Sequence, residues 1–167
     1  MSLLVGMGAV LHAIIPPFFL GMKPDMMLTM MFLGIVLFPE RKSVFLLAIL
    51  TGIISGLTTA FPGGMIPNVI DKPVTAFVFF GLFLALGKFK NSLVSVAALT
   101  AVGTIISGIV FLTSAYYIVG LPGPFVGLFA AVVLPATAVN TVAMVVLYPV
   151  ALTVVKRTTV TKQSLHH

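Results

Sequence analysis

The chain has 167 residues, 60% of them hydrophobic and only 7% charged, with a mean hydropathy of +1.25. A soluble domain carries about 25% charged residues, so these proportions exclude a soluble globular protein and make a bilayer the solvent for most of the chain. The net charge of +6 comes from nine scattered basic residues with no stripe or arm, which argues against nucleic acid, and the lack of cysteine excludes disulfides, thiolate metal sites and a cysteine nucleophile.

One crossing needs roughly 20 apolar residues. The length therefore allows about six crossings with short loops, in a single transmembrane domain over residues 1–165. The terminal His166–His167 reads as the remnant of a purification tag. The predicted fold is an all-α integral membrane bundle of six helices. Helix 1 spans Leu3–Leu20; without a basic leading region or a cleavage site it is a first span, not a signal peptide. An outer connection with Pro16, Pro17, Gly21 and Pro24 leads to a short helix 2, Asp25–Phe38. The inner turn Pro39-Glu40-Arg41-Lys42 precedes helix 3, Ser43–Ala60. Residues 61–73, FPGGMIPNVIDKP, form a long outer connection before helix 4, Pro73–Gly87. The inner turn Lys88-Phe89-Lys90-Asn91 leads to helix 5, Ser92–Val119. A last outer turn, Gly120 to Pro124, leads to helix 6, Phe125–Val155, with kinks expected at Pro135 and Pro149.

Basic residues orient the bundle. Arg41, Lys42, Lys88, Lys90, Lys156, Arg157 and Lys162 fall on one side, and only Lys23 and Lys72 on the other. The positive-inside rule then puts both termini in the cytoplasm. The outer connections are rich in proline and glycine, which permits ordered but irregular backbone. Such backbone is tolerated at a membrane where it lines a cavity, so an outward-facing site capped by these loops is expected.

Small residues mark packing faces: Gly6, Ala9 and Ala13 on helix 1; Ala48, Gly52 and Gly56 on helix 3; Thr100, Gly103, Ser107, Phe111 and Ser114 on helix 5. For helices 3 and 5 this reads as packing inside the chain. On the terminal helix 1, Ala9 and Ala13 could also dock another membrane protein.

Each polar residue inside a span needs a reason. His12 in helix 1 and Asn140 in helix 6 either bond a neighbouring helix or reach a ligand. Asp71 and Lys72 are placed at the mouth of helix 4, where Asp71 suits the helix dipole by itself. As a pair they also match a zwitterion, lysine for a carboxylate and aspartate for an ammonium; Asp25 and Lys23 could serve similarly. Tyr116 and Tyr117 are interfacial anchors or, turned inward, a stacking surface, with Phe61, Phe77, Phe79 and Phe80 near the same end. No metalloprotease, nucleophile-elbow or phosphate-loop motif is present: Gly87-Lys88-Phe89 lacks the upstream glycine and the hydroxyl. The chain is thus not an enzyme, needs no cofactor or metal, and does not itself hydrolyse ATP. With helix 4 starting at Pro73, no carboxylate lies mid-span to relay protons.

Three segments carry a resemblance: residues 8–43, GAVLHAIIPPFFLGMKPDMMLTMMFLGIVLFPERKS; residues 51–72, TGIISGLTTAFPGGMIPNVIDK; and residues 134–150, LPATAVNTVAMVVLYPV. They resemble the tryptophan transport protein family, TrpP, of Gram-positive bacteria. The six-span plan resembles an S component, the substrate-binding subunit of energy-coupling factor transporters. The resemblance implies high-affinity capture of L-tryptophan at the outer face of a bacterial cell membrane. It also implies reorientation driven by a transmembrane T component and two cytoplasmic ABC ATPases, which consume the ATP. Ala9-x-x-x-Ala13 matches the pattern through which such subunits dock. Phe77, Phe80, Tyr116 and Tyr117 would then supply an aromatic slot. Asn68 or Asn140 would accept the indole N–H, and Lys72 and Asp71 would take the backbone charges. Two alternatives stay open: a stand-alone transporter or facilitator for an aromatic amino acid, and an S component for another small aromatic or vitamin. A membrane enzyme or assembly subunit is a third class.

Overall fold

The apolar runs fold as helices, and no strand occurs among the described residues. The computed structural model describes residues 2–14, 25–90 and 92–164, with side-chain environments for residues 5–10, 14, 25–90 and 92–155. In chain order the elements are α1 (Ser2–Ile14), α2 (Met26–Leu37), α3 (Arg41–Leu57), α4 (Met65–Ala85) and α5 (Leu93–Ile118). A short 3₁₀ turn, Gly87–Phe89, separates α4 from α5. The last rod has three consecutive pieces: α6 (Phe125–Leu128), a π segment (Phe129–Val133) and α7 (Leu134–Ser164).

Among the described residues three stretches are long and apolar enough to cross a membrane: Met65–Ala85, Leu93–Ile118 and Phe125–Val155. At 1.5 Å per residue the second and third rise about 39 and 46 Å, more than the ~30 Å hydrocarbon core. Their outer faces are apolar too. Val139, Val142, Val146, Val150 and Val154 form an exposed stripe on α7, and Phe45, Leu46, Ile49, Leu50 and Ile53 are exposed on α3. Exposed apolar area of that extent belongs against lipid.

The 12 residues of α2 are the opposite case. Met26 to Val36 are all buried, and a helix apolar all round belongs in a core. It packs against α1, α3, α4, α5 and α7. Its N-terminus is capped by Asp25, whose Oδ1 accepts the Leu28 N–H at 3.0 Å. Around it Phe32 of α2 and Phe79 of α4 stack at 4.0 Å between centroids and 5° between planes. That stack needs a bare backbone behind it. A Cβ on Gly103 of α5 would lie 2.8 Å from Phe32 and 2.9 Å from Phe79. The small-residue face of α3 serves the same end at Gly56, where a Cβ would stand 3.0 Å from the Met65 carbonyl; at Gly52 a Cβ would sit at ordinary contact distance, 3.5 Å from the Cβ of Lys72. At Gly56 and Gly103 the two stripes therefore pack inside the chain.

The largest departure from expectation is the start of α4. The helix begins at Met65, so Asn68, Asp71 and Lys72 are helical residues and not loop residues. The turn is confined to 58–64 and reverses at Gly63, where φ is +69°. Pro67 sits in the first turn, where a helix needs no N–H donors. Pro73 lies inside the helix and withholds the N–H that the Val69 carbonyl would accept. Burial of the apolar Ala76, Phe79, Phe80 and Phe83 beyond it offsets that loss. The expected effect of Pro135 also takes a different form. The carbonyl four residues before it belongs to Ala131, within the π segment, so the wider winding is where the helix absorbs the proline.

Replacing Gly103 by valine should lower stability by about 1–3 kcal/mol through overpacking. Gly81→Val, whose Cβ meets nothing within 4 Å, should change it by less than ~0.5 kcal/mol. Thermal unfolding of the detergent-solubilised protein reads both; equal behaviour would refute the close approach of α5 to the ring stack.

Candidate functional site

Two of the chain's three carboxylates and one lysine meet inside the bundle. Lys72 is 2% exposed and Asp71 not at all. The Lys72 ammonium lies 2.5 Å from Asp25 Oδ2 and 2.7 Å from Asp71 Oδ2. Asp71 receives two more donors: the Thr75 hydroxyl on Oδ1 at 2.7 Å and the Ser107 hydroxyl on Oδ2 at 2.8 Å. Thr75 is one turn along α4 and Ser107 comes from α5, so Asp71 is locked from both helices. Asp25 is held differently. Its Oδ1 caps α2, its Oδ2 faces Lys72, and its side chain keeps 21% of its exposure.

This cage forms part of the wall of a cavity of about 120 Å³, roughly ten times the ~10–15 Å³ that one water needs. Asp25 and Leu28 border it from α2, Ser55 from α3, and Phe61 from the turn that follows. Asn68, Asp71 and Lys72 line it from α4, and Thr104, Ser107, Phe111 and Leu112 from α5. The last rod contributes Val132, Val133, Ala136 and Asn140. Phe61 and Phe111 meet edge to face, with centroids 5.4 Å apart and planes at 81°. Opposed to these apolar surfaces are two buried polar atoms that have no hydrogen-bond partner, Asn140 Oδ1 and Ser55 Oγ. The Asn140 side chain is fully buried, and its Nδ2 donates to Thr104 Oγ1 at 3.4 Å, so the carbonyl end is the unsatisfied one. A buried acceptor left without a donor costs about 1–3 kcal/mol. Two of them on one cavity wall mark places for a donor that arrives with an occupant.

The residues singled out in the sequence divide into two groups. Asn68, Asp71, Lys72 and Asn140 come together on the cavity wall. The Asn68 amide already donates to the Gly64 carbonyl at 2.8 Å. Phe77, Phe80, Tyr116 and Tyr117 do not reach the cavity. Phe77 is on the exposed face of α4, Phe80 is buried in the core, and the two tyrosines pair edge to face on the exposed end of α5. The aromatic wall is Phe61 and Phe111 instead. Ala9 is half-buried on α1, whereas the side chains of His12 and Ala13, and the whole of Lys23, lie outside the described residues. Ser55, Thr104 and Ser107 were not anticipated as site residues. For Thr104 and Ser107 the signal is a hydroxyl repeat in an apolar helix: Thr100, Thr104 and Ser107 share one face of α5.

A family model described as "Tryptophan transporter TrpP" matches residues 1–156. A "Probable tryptophan transport protein" of Bacillus subtilis is 60% identical over 157 residues, covering 94% of this chain and 91% of its own length. Proteins of the same description from Clostridium acetobutylicum and Clostridium perfringens are each 43% identical, over 88% of this chain and 86% of theirs. No solved structure matches the chain.

Lys72→Met leaves Asp71 buried without its counter-charge and should cost about 3–5 kcal/mol. Adding Asp71→Asn should restore much of that loss, because the uncompensated charge goes with it. Thermal unfolding of the single and double variants in detergent measures the difference. A double variant no more stable than the single one would contradict the cage.

Proposed function

This chain belongs to the tryptophan transporter TrpP family, and from that premise we propose that it captures L-tryptophan in the cavity between α3, α4, α5 and α7. The observation that carries the reading is the unpartnered Asn140 Oδ1 in a cavity walled by Phe61 and Phe111. An indole ring asks for an aromatic wall along its faces and edges, and its single N–H asks for one acceptor. Asn140 is the better acceptor of the two asparagines, because its carbonyl oxygen has no donor and Asn68 is tied to its own helix. A site that hydrogen-bonds a ligand group rejects analogues lacking it, since the buried partner is then left unpaired.

In this reading the chain is a multi-pass protein of the bacterial cell membrane, a single domain of six spans with both termini in the cytoplasm. It acts as the substrate-binding S component of an energy-coupling factor transporter. A transmembrane T component and two cytoplasmic ABC ATPases supply the work, and the chain itself uses no cofactor. The support is the segment-by-segment resemblance, the Ala9-x-x-x-Ala13 pattern on α1, and the absence of any nucleotide-hydrolysis motif from the sequence.

A second reading has its own observation. Asp71, expected at a helix mouth, lies seven residues into a helix long enough to span the membrane. Buried ionisable residues in spans serve proton relays in stand-alone transporters. Reconstitution separates the two. Liposomes holding this chain alone should not accumulate tryptophan under a proton gradient, and accumulation should require the T component, the ATPases and ATP. Gradient-driven accumulation by the chain alone would replace the S-component reading with a proton-coupled transporter.

Calorimetric titration of the purified chain tests the ligand. Binding should be saturable and selective for L-tryptophan over phenylalanine and tyrosine. Asn140→Ala, or benzothiophene-alanine as ligand, should weaken it by about 1–3 kcal/mol, roughly ten- to a hundredfold. Unchanged affinity in both would remove Asn140 from the site.

A further inference from the structure

Lys72 is already neutralised, so a ligand carboxylate can reach it only by exchange. Of its two partners, Asp71 cannot be exchanged. It is fully buried, and the Thr75 and Ser107 hydroxyls hold both of its oxygens. Withdrawing Lys72 from it would leave an uncompensated charge in a low-dielectric interior, which is strongly unfavourable. Asp25 differs in burial and in position. It retains partial exposure, it lines the cavity, and its cap on α2 uses Oδ1, leaving the Lys72 contact to Oδ2. Separating Lys72 from Asp25 does not require unwinding the first turn of α2.

We propose that an α-amino acid binds by inserting its zwitterion into the Lys72–Asp25 ion pair, its carboxylate on the Lys72 ammonium and its own ammonium on the Asp25 carboxylate. The exchange conserves charge at every point. One ion pair is opened and two of the same kind are made, so no buried charge loses its counter-ion. A ligand bearing only one of the two charges opens the pair and compensates only one side. The ammonium partner is therefore Asp25, which belongs to α2, and not Asp71. The proposal rests on the cavity being the ligand site, but not on the indole.

The test is calorimetric titration of the full chain with L-tryptophan, tryptamine and indole-3-propionate, on wild type and on Asp25→Asn. Asparagine remains a good helix cap, and Asp25→Ser is a second variant that caps without charge. In wild type, tryptamine and indole-3-propionate should each bind roughly ten- to a hundredfold more weakly than L-tryptophan. Asp25→Asn should weaken L-tryptophan by a similar factor and tighten indole-3-propionate relative to wild type, because the competing carboxylate is gone. Either single-charge ligand matching L-tryptophan on wild type would overturn the insertion, as would full L-tryptophan affinity in Asp25→Asn. The wild-type ligand series stands even where a variant fails to fold. Should another amino acid bind in place of L-tryptophan under the same charge rule, the insertion holds and the tryptophan reading falls. Failure of every amino acid to bind overturns both.

Discussion

A lysine ammonium enclosed in an apolar bundle constrains everything near it. Lys72 is buried on a helix long and apolar enough to span a bilayer, and it is viable there because Asp25 and Asp71 lie within ion-pair distance. The desolvation penalty for such ions is several kcal/mol each and is offset only by close, hydrogen-bonded partners. Those partners come from different places. Asp71 precedes Lys72 on α4 and is anchored to α5 through Ser107; Asp25 stands at the N-terminus of α2. A one-residue slip of α2 or α5 against α4 would leave a charge unpaired. The cage is thus a register device for three helices as much as a site.

Its surroundings are arranged to let the backbones come close enough. The bare Cα of Gly52 on α3 faces the Cβ of Lys72, and the bare Cα of Gly103 on α5 backs the Phe32–Phe79 stack. Lipid gives no hydrophobic push between helices, so close packing through small residues must supply the association. The ring stack and the ion cage both join α2 to α4, one by dispersion and one by charge. Together they hold the short, wholly buried α2 in the centre of the molecule.

Much of this was legible in the sequence, and what was not has identifiable causes. Charge scarcity and run length were enough for an all-helical membrane protein, and α5 was placed to within one residue at each end. Asn68, Asp71, Lys72 and Asn140 stood out because polar groups in apolar segments demand partners. The start of α4 was misplaced because FPGGMIP reads locally as a loop, whereas Pro67 is harmless in a first helical turn and the buried face beyond it outweighs the missing bond at Pro73. That error carried the aromatic assignment with it. With the helix starting at Met65, residues 68, 71, 72, 75, 76 and 79 share the buried face and Phe77 falls on the opposite one. Phe61 and Phe111 line the cavity because of how a turn and a neighbouring helix converge, which no spacing within one segment reveals. The π segment was invisible for a similar reason: proline announces a disturbance at Ala131 but not whether the helix bends or widens.

The cavity draws its polar atoms from five separate helices. The cage comes from α2 and α4, hydroxyls from α3 and α5, and the Asn140 amide from α7. Those groups are unequally satisfied: Asp71 is saturated, whereas Asn140 Oδ1 and Ser55 Oγ have no donor. Thr29 Oγ1 of α2 is unpartnered as well, but only Asn140 Oδ1 and Ser55 Oγ lie on the cavity wall, where an occupant can supply what they lack. An occupant that satisfies them touches α3 and α7, which pack on α4 and α5 and hardly on each other. Binding then adds a bridge between α3 and α7 across a bundle that the packing of α4 on α5 already holds together. A ligand that binds the folded bundle stabilises it by mass action, about 2.7 kcal/mol at a hundredfold excess over Kd. The unsatisfied acceptors therefore make the tightness of the bundle depend on occupancy. A cavity lined only by leucine and phenylalanine would offer the same volume without the polar groups that select the occupant.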